Sequence, residues 1–333
     1  MTSFTNNIIG LPLSVKESIN DDHKGLKVLL DSLLNACRII GTTLRDGGYS
    51  NEKIGTSNAF GDNQLDVDVK TDAVIFSCLR DSNVVHVAAS EENPLEIDCN
   101  FKSSSLSKGY SVAFDPLDGS SIVDANFAVG TIVGIWPGNG LINRTGKEQV
   151  ASFVCMYGPR VTIALALNGN STKSGQAISM ELTMLPNEWI ISRPIFNISP
   201  KGKTFAPGNL RATSDNPGYK GLVTYWIDSK YTLRYSGGLV PDVYHILIKG
   251  EGVLANASSA GAKAKLRLLF EAAPIALIIE AAGGSSCVCP TEAAEKQEQV
   301  SLLEVVISDL DKRVGVCYGS IEEVERFKKF IFN

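Results

Sequence analysis

The sequence predicts a layered α/β fold, an α+β sandwich, because helical and strand patterns are mixed along the whole chain. Residues 25–45 place apolar side chains at three- and four-residue steps, which predicts a long amphipathic helix. Residues 129–136 and 161–167 are short apolar runs that end at proline or at asparagine and glycine, which is typical of buried strands. Runs of this kind beside amphipathic helices indicate sheets that are covered by helices.

The other predicted elements follow the same two patterns. Further strands are predicted over residues 84–89, 111–114, 178–185 and 314–318. Further helices are predicted over residues 72–80, 220–229, 241–249, 262–271, 274–282 and 321–332. Polar stretches at 168–176 and 291–299 are predicted to be surface loops.

A subdomain boundary is predicted within residues 192–207, which contain three prolines and link the two halves of the chain. Residues 1–195 would form an N-terminal α+β subdomain, and residues 196–333 a C-terminal α/β subdomain. At 333 residues the chain is long enough for two such units around a large core.

Composition excludes several classes of function. The net charge of −5 argues against a nucleic-acid surface, which requires clustered Lys and Arg. The most apolar stretch, residues 272–282, is broken by Pro274 and Glu280, so no membrane association is expected. The seven scattered cysteines lack zinc-site spacing and indicate reduced thiols. Neither end of the sequence shows a signal, transit or peroxisomal pattern, which favours a cytoplasmic protein.

Carboxylates end successive apolar runs in the first half of the chain, and they predict a metal site. They are Asp62, Asp68, Glu91, Glu92, Asp115 and Asp118. Oxygen ligands of this kind suit Mg²⁺, and the following Gly-Ser-Ser segment can offer backbone N–H groups to an anion. Taken singly, each group has a simpler interpretation as a helix cap or an exposed acidic turn. Their co-occurrence favours metal-assisted phosphoryl hydrolysis.

The second half adds one more carboxylate and several cations. Glu271 lies within an apolar stretch, so it is expected to be buried and to need a partner or a metal. Alternatively, Arg267 and Glu271 would form an i,i+4 pair on the surface of a helix. Lys265 and Arg234 lie beside glycine or aromatic residues and are candidate phosphate ligands. The three histidines lack a nucleophile motif and are expected to be structural.

Two motifs resemble the signature of the fructose-1,6-bisphosphatase superfamily. They are Phe-Asp-Pro-Leu-Asp-Gly-Ser-Ser at 114–121 and Lys-Leu-Arg-Leu-Leu-Phe-Glu-Ala-Ala-Pro at 265–274, and the resemblance extends from about residue 25 to 330. Residues 60–65, 121–124, 206–216 and 231–238 resemble the sedoheptulose-bisphosphatase branch. The resemblance implies alternating helix and sheet layers and a metal-dependent phosphoric monoester hydrolase acting on the C1 phosphate of sedoheptulose 1,7-bisphosphate.

Three alternatives stay open at this point. The chain could be a fructose-1,6-bisphosphatase, or an enzyme that acts on both sugar bisphosphates. An inositol-phosphatase-like enzyme would share the Asp-x-x-Asp-Gly core but would not need Arg234 and Lys265. A catalytically inactive relative with a binding role is disfavoured because the matching carboxylates are present.

The resemblance also implies roles for individual residues. The ligands of two or three Mg²⁺ ions, or of Mn²⁺ in their place, would be Glu91, Glu92, Asp115, the Leu117 carbonyl, Asp118 and Glu271. Asp62, Asp68 and Glu92 would be catalytic, with Asp68 and Glu92 activating the attacking water. The substrate would be bound by Asp118, Gly119, Ser120, Ser121, Asn209, Arg211, Arg234, Tyr235, Gly237, Gly238 and Lys265. The protein would be a homodimer or a homotetramer, and Arg234 would reach across the interface between two subunits.

Departures from the family pattern carry expectations of their own. Fructose enzymes place a tyrosine where this chain has Ala255 and Asn256, so extra room for a longer sugar is expected there. Chloroplast sedoheptulose enzymes carry a regulatory cysteine pair where this chain has no cysteine, between residues 38 and 77. Regulation by dithiol reduction is therefore not expected.

Overall fold

A computed structural model describes residues 10–47, 53–57, 63–102, 109–289 and 299–332. The predicted loop at 291–299 falls almost wholly outside these residues. Within the described part of the chain, no helix combines the length and the apolar character needed to cross a bilayer. All seven cysteines are described, and all are buried free thiols, as the sequence predicts.

The first half of the chain builds an eight-stranded mixed sheet. Its strands are β3 (Val85–Ser90), β4 (Ile97–Asp98), β5 (Tyr110–Asp118), β6 (Val129–Pro137), β7 (Ala151–Tyr157), β8 (Val161–Leu167), β9 (Ile178–Met184) and β10 (Trp189–Arg193). The spatial order is β10-β9-β8-β7-β6-β5-β3-β4, and only the β3–β5 pair is parallel within this sheet. A separate antiparallel pair joins β1 (Lys53–Ser57) and β2 (Asn63–Leu65).

The second half builds a six-stranded sheet. Its strands are β11 (Thr204–Gly208), β12 (Thr232–Leu233), β13 (Val253–Asn256), β14 (Leu266–Arg267), β15 (Ser285–Cys289) and β16 (Arg313–Gly319). The order β12-β11-β13-β16-β14 places β13 beside both β11 and β16, and β15 also pairs with β16. The segment between β10 and β11, where the sequence predicts a boundary, connects the two sheets.

Helices separate and cover the two sheets. They are α1 (Leu13–Ser18), α2 (Lys24–Arg45), α3 (Asp66–Ser82), α4 (Pro217–Asp228), α5 (Leu239–Lys249), α6 (Ala273–Ala281) and α7 (Ile321–Ile331). Helices α2 and α3 pack on the outer face of the first sheet, α5 and α6 lie between the sheets, and α4 and α7 cover the second sheet. The layers therefore alternate helix, sheet, helix, sheet, helix, which confirms the predicted architecture.

Alternation along the strands explains why they look continuously apolar in the sequence. In β5, Val112 and Phe114 face α2 and α3, whereas Ala113 faces the helices between the sheets. In β13, Leu254 faces the inner helices, whereas Val253 and Ala255 face α4 and α7. Because both faces of each sheet are buried, neither side of these strands needs polar residues.

One predicted element is wrong, and several short strands escaped prediction. Residues 262–271 do not form a helix: an extended pair, Leu266–Arg267, joins β16, and a π-helical turn, Leu268–Ala272, leads into α6. The Arg267 N–H donates to the Glu271 carboxylate and the Leu268 N–H donates to the Lys312 carbonyl, so neither is available to a regular helix. Strands β7, β10, β11, β13 and β15 were not predicted.

Candidate active site

The end of β5 carries the central part of the site. Asp115 is buried, and one of its carboxylate oxygens accepts a hydrogen bond from the Leu117 N–H at 2.9 Å. The strand ends at Asp118, and Gly119 turns the chain with a φ of 85°, a value that favours glycine. A 3₁₀ turn, Ser120–Ala125, follows directly. Because the first N–H groups of such a turn have no intrahelical acceptor, Ser120 and Ser121 can offer theirs to an anion.

Glu91 and Glu92 lie in a tight turn beside β5. Neighbouring residues within a strand point to opposite faces of the sheet. Strand β3 ends at Ser90, so both glutamates follow the strand and can serve one site. The Asn93 N–H donates to the Ser90 hydroxyl at 2.9 Å, and the Asn93 amide donates to Asp72 at 2.6 Å. Asp72, on α3, thus anchors the turn, a role that the sequence did not indicate.

Asp68 enters the site from the first turn of α3. It is buried, and its carboxylate accepts the Leu65 N–H at 3.3 Å, as a capping carboxylate does at a helix start. It also accepts a hydrogen bond from the Ser120 side chain, which links the helix to the turn after β5. Asp62, the other predicted loop carboxylate, lies outside the described residues.

Glu271 and Arg267 reach the same place from the second half. Glu271 is buried, as predicted, and the surface-pair interpretation is wrong, since the Arg267 side chain is 4% exposed. The Arg267 guanidinium pairs with Glu91, and its backbone N–H donates to Glu271 at 2.5 Å. Arg267 is therefore a buried cation that contacts two predicted metal ligands.

Five carboxylates converge and form what we call the acidic cluster: Asp68, Glu91, Asp115, Asp118 and Glu271. Burial, and then repulsion by the neighbouring carboxylates, raises the pKa values of Asp115 and Glu271 well above their usual range. Burial likewise raises the pKa of Asp68 to about 6 and that of Asp118 to about 7. Five carboxyl groups therefore share one buried cation, Arg267, and all five can be ionised together only when further positive charge is present.

A divalent cation fits this donor set. Among the described residues, no three His, Cys, Asp or Glu side chains are placed so that they could hold a metal ion together. The carboxylates of Asp115 and Glu271 accept hydrogen bonds from the backbone N–H groups of Leu117 and Arg267. The donors are nevertheless all oxygen atoms, and their mutual repulsion is of the kind that a bound cation relieves. Glu92, which follows Glu91, is half-buried beside them.

Asp118 also connects the acidic cluster to the second half of the chain. Its carboxylate accepts the N–H groups of Leu239 and Val240, at 3.1 and 2.6 Å, at the start of α5. The preceding Ser236-Gly237-Gly238 turn is held by Asp242, which accepts the N–H groups of Ser236 and Gly237. The predicted glycines therefore lie next to Asp118, and the backbone at Gly237 has a φ of 97°.

Arg211 and Lys265, both predicted substrate ligands, line one cavity of about 450 Å³. The loop at 261–265 forms much of its wall, and Lys263 and Arg313 contribute two further cations. We call this the basic cavity. Neither Lys263 nor Arg313 was predicted, because the sequence separates Arg313 from the others and gives neither residue a distinctive motif.

Asn209 lies beside the loop at 257–262. Its amide donates to the carbonyls of Ala257 and Ala262, both at 2.8 Å, and so braces the loop at 257–262. Arg234 and Tyr235 are exposed, and the Arg234 guanidinium donates to the Leu233 carbonyl at 2.8 Å. Ala255 and Asn256 were expected to make room for the substrate. Ala255 is buried on the face of β13 that packs against α4 and α7, and only Asn256 lies on the opposite face of the strand.

Comparison with known families decides the affiliation of the chain. The family described as "Fructose-1-6-bisphosphatase" matches with its N-terminal domain over residues 5–175 and with its C-terminal domain over residues 198–332. The chain belongs to the fructose-1,6-bisphosphatase family. The family membership predicted from the two motifs is therefore confirmed.

Relatives in the fructose-1,6-bisphosphatase family include both sugar specificities. The chloroplastic sedoheptulose-1,7-bisphosphatase of Chlamydomonas reinhardtii is 44% identical over 309 residues, or 92% of this chain and 74% of that protein. The class 1 fructose-1,6-bisphosphatase of Citrifermentans bemidjiense is 37% identical over 304 residues, or 91% of this chain and 86% of that protein. These relatives are bisphosphatases, which supports the predicted class of phosphoric monoester hydrolases.

A solved structure shares the fold. The crystal structure described as a sedoheptulose-1,7 bisphosphatase from Toxoplasma gondii superposes with a TM-score of 0.81 at 38% identity. The match covers 92% of this chain and 94% of that one. The fold of the fructose-1,6-bisphosphatase family predicted from the sequence is thereby confirmed.

Proposed function

We propose that this protein hydrolyses the C1 phosphate of sedoheptulose 1,7-bisphosphate, giving sedoheptulose 7-phosphate and phosphate. One observation carries the proposal: a buried acidic cluster and a basic cavity are joined through one part of the chain, residues 265–271. A bisphosphate needs a reacting site for one phosphate and a cationic site for the other. Identity with the sedoheptulose enzyme of Chlamydomonas favours the seven-carbon sugar.

The cofactor in this proposal is Mg²⁺, with Mn²⁺ able to replace it. Glu91, Glu92, Asp115, the Leu117 carbonyl, Asp118 and Glu271 would hold two or three ions. When bound, the ions neutralise the charge of the carboxylates and of the phosphoryl group. The raised pKa values of Asp115 and Glu271, which follow from burial and repulsion, support the need for such cations.

The chain's own residues position the substrate and the water. The N–H groups of Ser120 and Ser121 would contact the C1 phosphate, since they begin the turn that follows Asp118. Asp68 and Glu92 would accept the proton of the attacking water, because Asp68 belongs to the acidic cluster and Glu92 directly follows one of its members, Glu91. Lys265 and Arg211 would hold the distal phosphate in the basic cavity and so orient the C1 phosphate.

Steady-state kinetics with Mg²⁺ on both sugar bisphosphates test the proposal. We expect kcat/KM for the sedoheptulose compound to exceed that for fructose 1,6-bisphosphate by about ten- to a hundredfold, since one imperfect polar contact costs this much. Equal or reversed values would favour the second candidate, a fructose-1,6-bisphosphatase or a dual enzyme, which the class 1 relatives support. No turnover of either compound would refute the bisphosphatase assignment.

Assembly into a homodimer, or a homotetramer built from it, is part of the proposal. Leu233 and Tyr235, which flank Arg234, are 54% and 50% exposed, so apolar side chains on both sides of Arg234 are available to a partner subunit. In such a dimer Arg234 would reach the partner's distal phosphate. Sedimentation of the protein tests assembly, and a monomer would limit the site to residues of one chain.

A cytoplasmic location stays a prediction.

A further inference from the structure

Asp311 binds two arginines at once. One of its carboxylate oxygens, Oδ1, accepts a hydrogen bond from Arg267 Nε at 3.0 Å and another from Arg313 Nε at 3.2 Å. The carboxylate of Asp311 is 31% exposed, whereas the Arg267 side chain is 4% exposed. A single carboxylate at the edge of the site therefore orients a buried guanidinium and a half-exposed one.

The two arginines belong to different parts of the site. Arg267 pairs with Glu91 and so belongs to the acidic cluster. Arg313 lines the basic cavity together with Lys265 and Arg211. Their backbones are direct partners in the antiparallel pairing of β14 with β16, which sets the separation of the two side chains. Rigid backbone pairing makes this separation reproducible from molecule to molecule.

The result is a row of alternating charges from one part of the site to the other: Glu91, Arg267, Asp311 and Arg313. Without Asp311, two neighbouring guanidinium groups would repel each other, and neither Nε would keep its acceptor. Arg313 would then lose one of the hydrogen bonds that orient its planar group.

We propose that Arg313 contacts the distal phosphate of the substrate in the basic cavity, and that Asp311 is a positioning residue that orients both Arg313 and Arg267. The inference rests on the proposed function, since it assigns the basic cavity to the distal phosphate of a sugar bisphosphate. It adds a second cation, oriented by Asp311, to the exposed Lys265 and gives the distance between the two phosphate sites a structural basis. A planar guanidinium can also donate two parallel N–H groups to one phosphate, a geometry that the ammonium group of a lysine does not fix.

Arg313→Gln tests the phosphate contact. We expect it to raise KM for the sugar bisphosphate by about tenfold or more, the effect of losing one charge-assisted hydrogen bond, and to change kcat little. Calorimetric titration with inorganic phosphate should show weaker binding by a similar factor. Lys312→Gln is the matched control. It removes the same charge at the neighbouring position, where the side chain donates to the Val306 carbonyl and does not line the basic cavity.

Asp311→Asn tests the positioning role, because it retains the shape of the side chain and removes its charge. We expect two changes together: a KM raised severalfold, and weaker equilibrium binding of Mg²⁺ in calorimetry, since the hydrogen bond that helps to orient Arg267 beside Glu91 loses its charge. Combining Asp311→Asn with Arg313→Gln should raise KM less than the product of the two single effects.

The outcomes separate this inference from the proposed function. If the wild type hydrolyses a sugar bisphosphate and Arg313→Gln leaves both KM and phosphate binding unchanged, the inference is wrong while the function stands. Multiplicative effects on KM, or unaltered Mg²⁺ binding in Asp311→Asn, would refute the positioning role. If Arg313→Gln, Asp311→Asn and the double variant instead lower the thermal midpoint equally, and alter neither KM nor the binding of phosphate and Mg²⁺, Arg313 and Asp311 are structural. A wild type without turnover would refute the function itself.

Discussion

The acidic cluster and the basic cavity are built in opposite ways. The carboxylates of the acidic cluster are mostly buried, and burial with mutual repulsion raises the pKa values of Asp115 and Glu271. The cations of the basic cavity lie on loops and a strand end, where Arg211, Lys263 and Lys265 are exposed. One region concentrates charge at a high cost in desolvation, and the other leaves charge in contact with water.

This difference indicates how strongly each region should respond to the replacement of a single residue. Every carboxylate of the acidic cluster depends on its neighbours and on a counter-ion, so losing one should affect all of them. The exposed cations act more independently, so single replacements should weaken binding without disturbing the fold. We therefore expect chemistry to depend on the acidic cluster, and the choice and affinity of substrate to depend on the basic cavity.

The largest expected effect is in the acidic cluster. Asp118→Asn should lower kcat by about a hundredfold or more, the scale of losing one electrostatic stabiliser, and removing Mg²⁺ should abolish turnover. Kinetics on the folded variant provide the measurement. Asp124→Asn, an exposed neighbour in the same turn, is the control and should retain full activity. A near-normal kcat for Asp118→Asn would show that the acidic cluster is not the reacting site.

A smaller effect is expected in the basic cavity. Lys265→Ala should raise KM by about tenfold or more and leave kcat nearly unchanged, because it removes a charge-assisted contact far from the reacting phosphate. Saturation curves measure this difference. The exposed Lys220 on α4 offers the control variant Lys220→Ala. If kcat falls and KM does not change, the two regions do not divide chemistry and binding as proposed.

Stability should depend on pH through the acidic cluster. The pKa of Asp68 is raised to about 6 and that of Asp118 to about 7, so between about pH 4 and pH 7 the folded protein binds more protons than the unfolded chain. The free energy of unfolding of the metal-free protein should therefore fall as pH rises across this range, and Mg²⁺ should restore it at high pH.

Thermal midpoints in EDTA and in Mg²⁺, measured at pH 5 and pH 8, decide this prediction. Asp68→Asn should reduce the dependence on pH, since it removes one of the titrating groups. A midpoint in EDTA that rises steadily from pH 5 to pH 8 would contradict the assignment of raised pKa values to the acidic cluster.

No effect at all is expected from thiol reduction. Every cysteine is buried, and burial raises the pKa values of Cys78 and Cys99 to about 11, so little thiolate forms at neutral pH. Activity before and after treatment with a dithiol should be equal. Severalfold activation would contradict this, and it would direct attention to Cys287 and Cys317, which lie opposite each other in the pairing of β15 with β16.

Much of the acidic cluster could be predicted because its parts are local signals. Asp115 and Asp118 end a buried strand beside Pro116 and Gly119, so the chain direction changes there whatever else it contacts. The apolar surroundings of Glu271 likewise required a partner for its carboxylate. The helix predicted over 262–271 was wrong because the pairing with β16 and the Leu268 hydrogen bond to Lys312, both contacts with a distant segment, outweighed local helical preference.

The sequence by itself determined the layered architecture, the family and all five carboxylates of the acidic cluster, since hydrophobic periodicity and short motifs are properties of neighbouring residues. Only the tertiary structure decided that Arg313 joins Lys265 and Arg211, that Asp72 anchors the turn of Glu91, and that Asn209 braces a loop. These contacts join residues distant in the chain. Their geometry depends on how the two sheets and the loops between them pack, which no local pattern records.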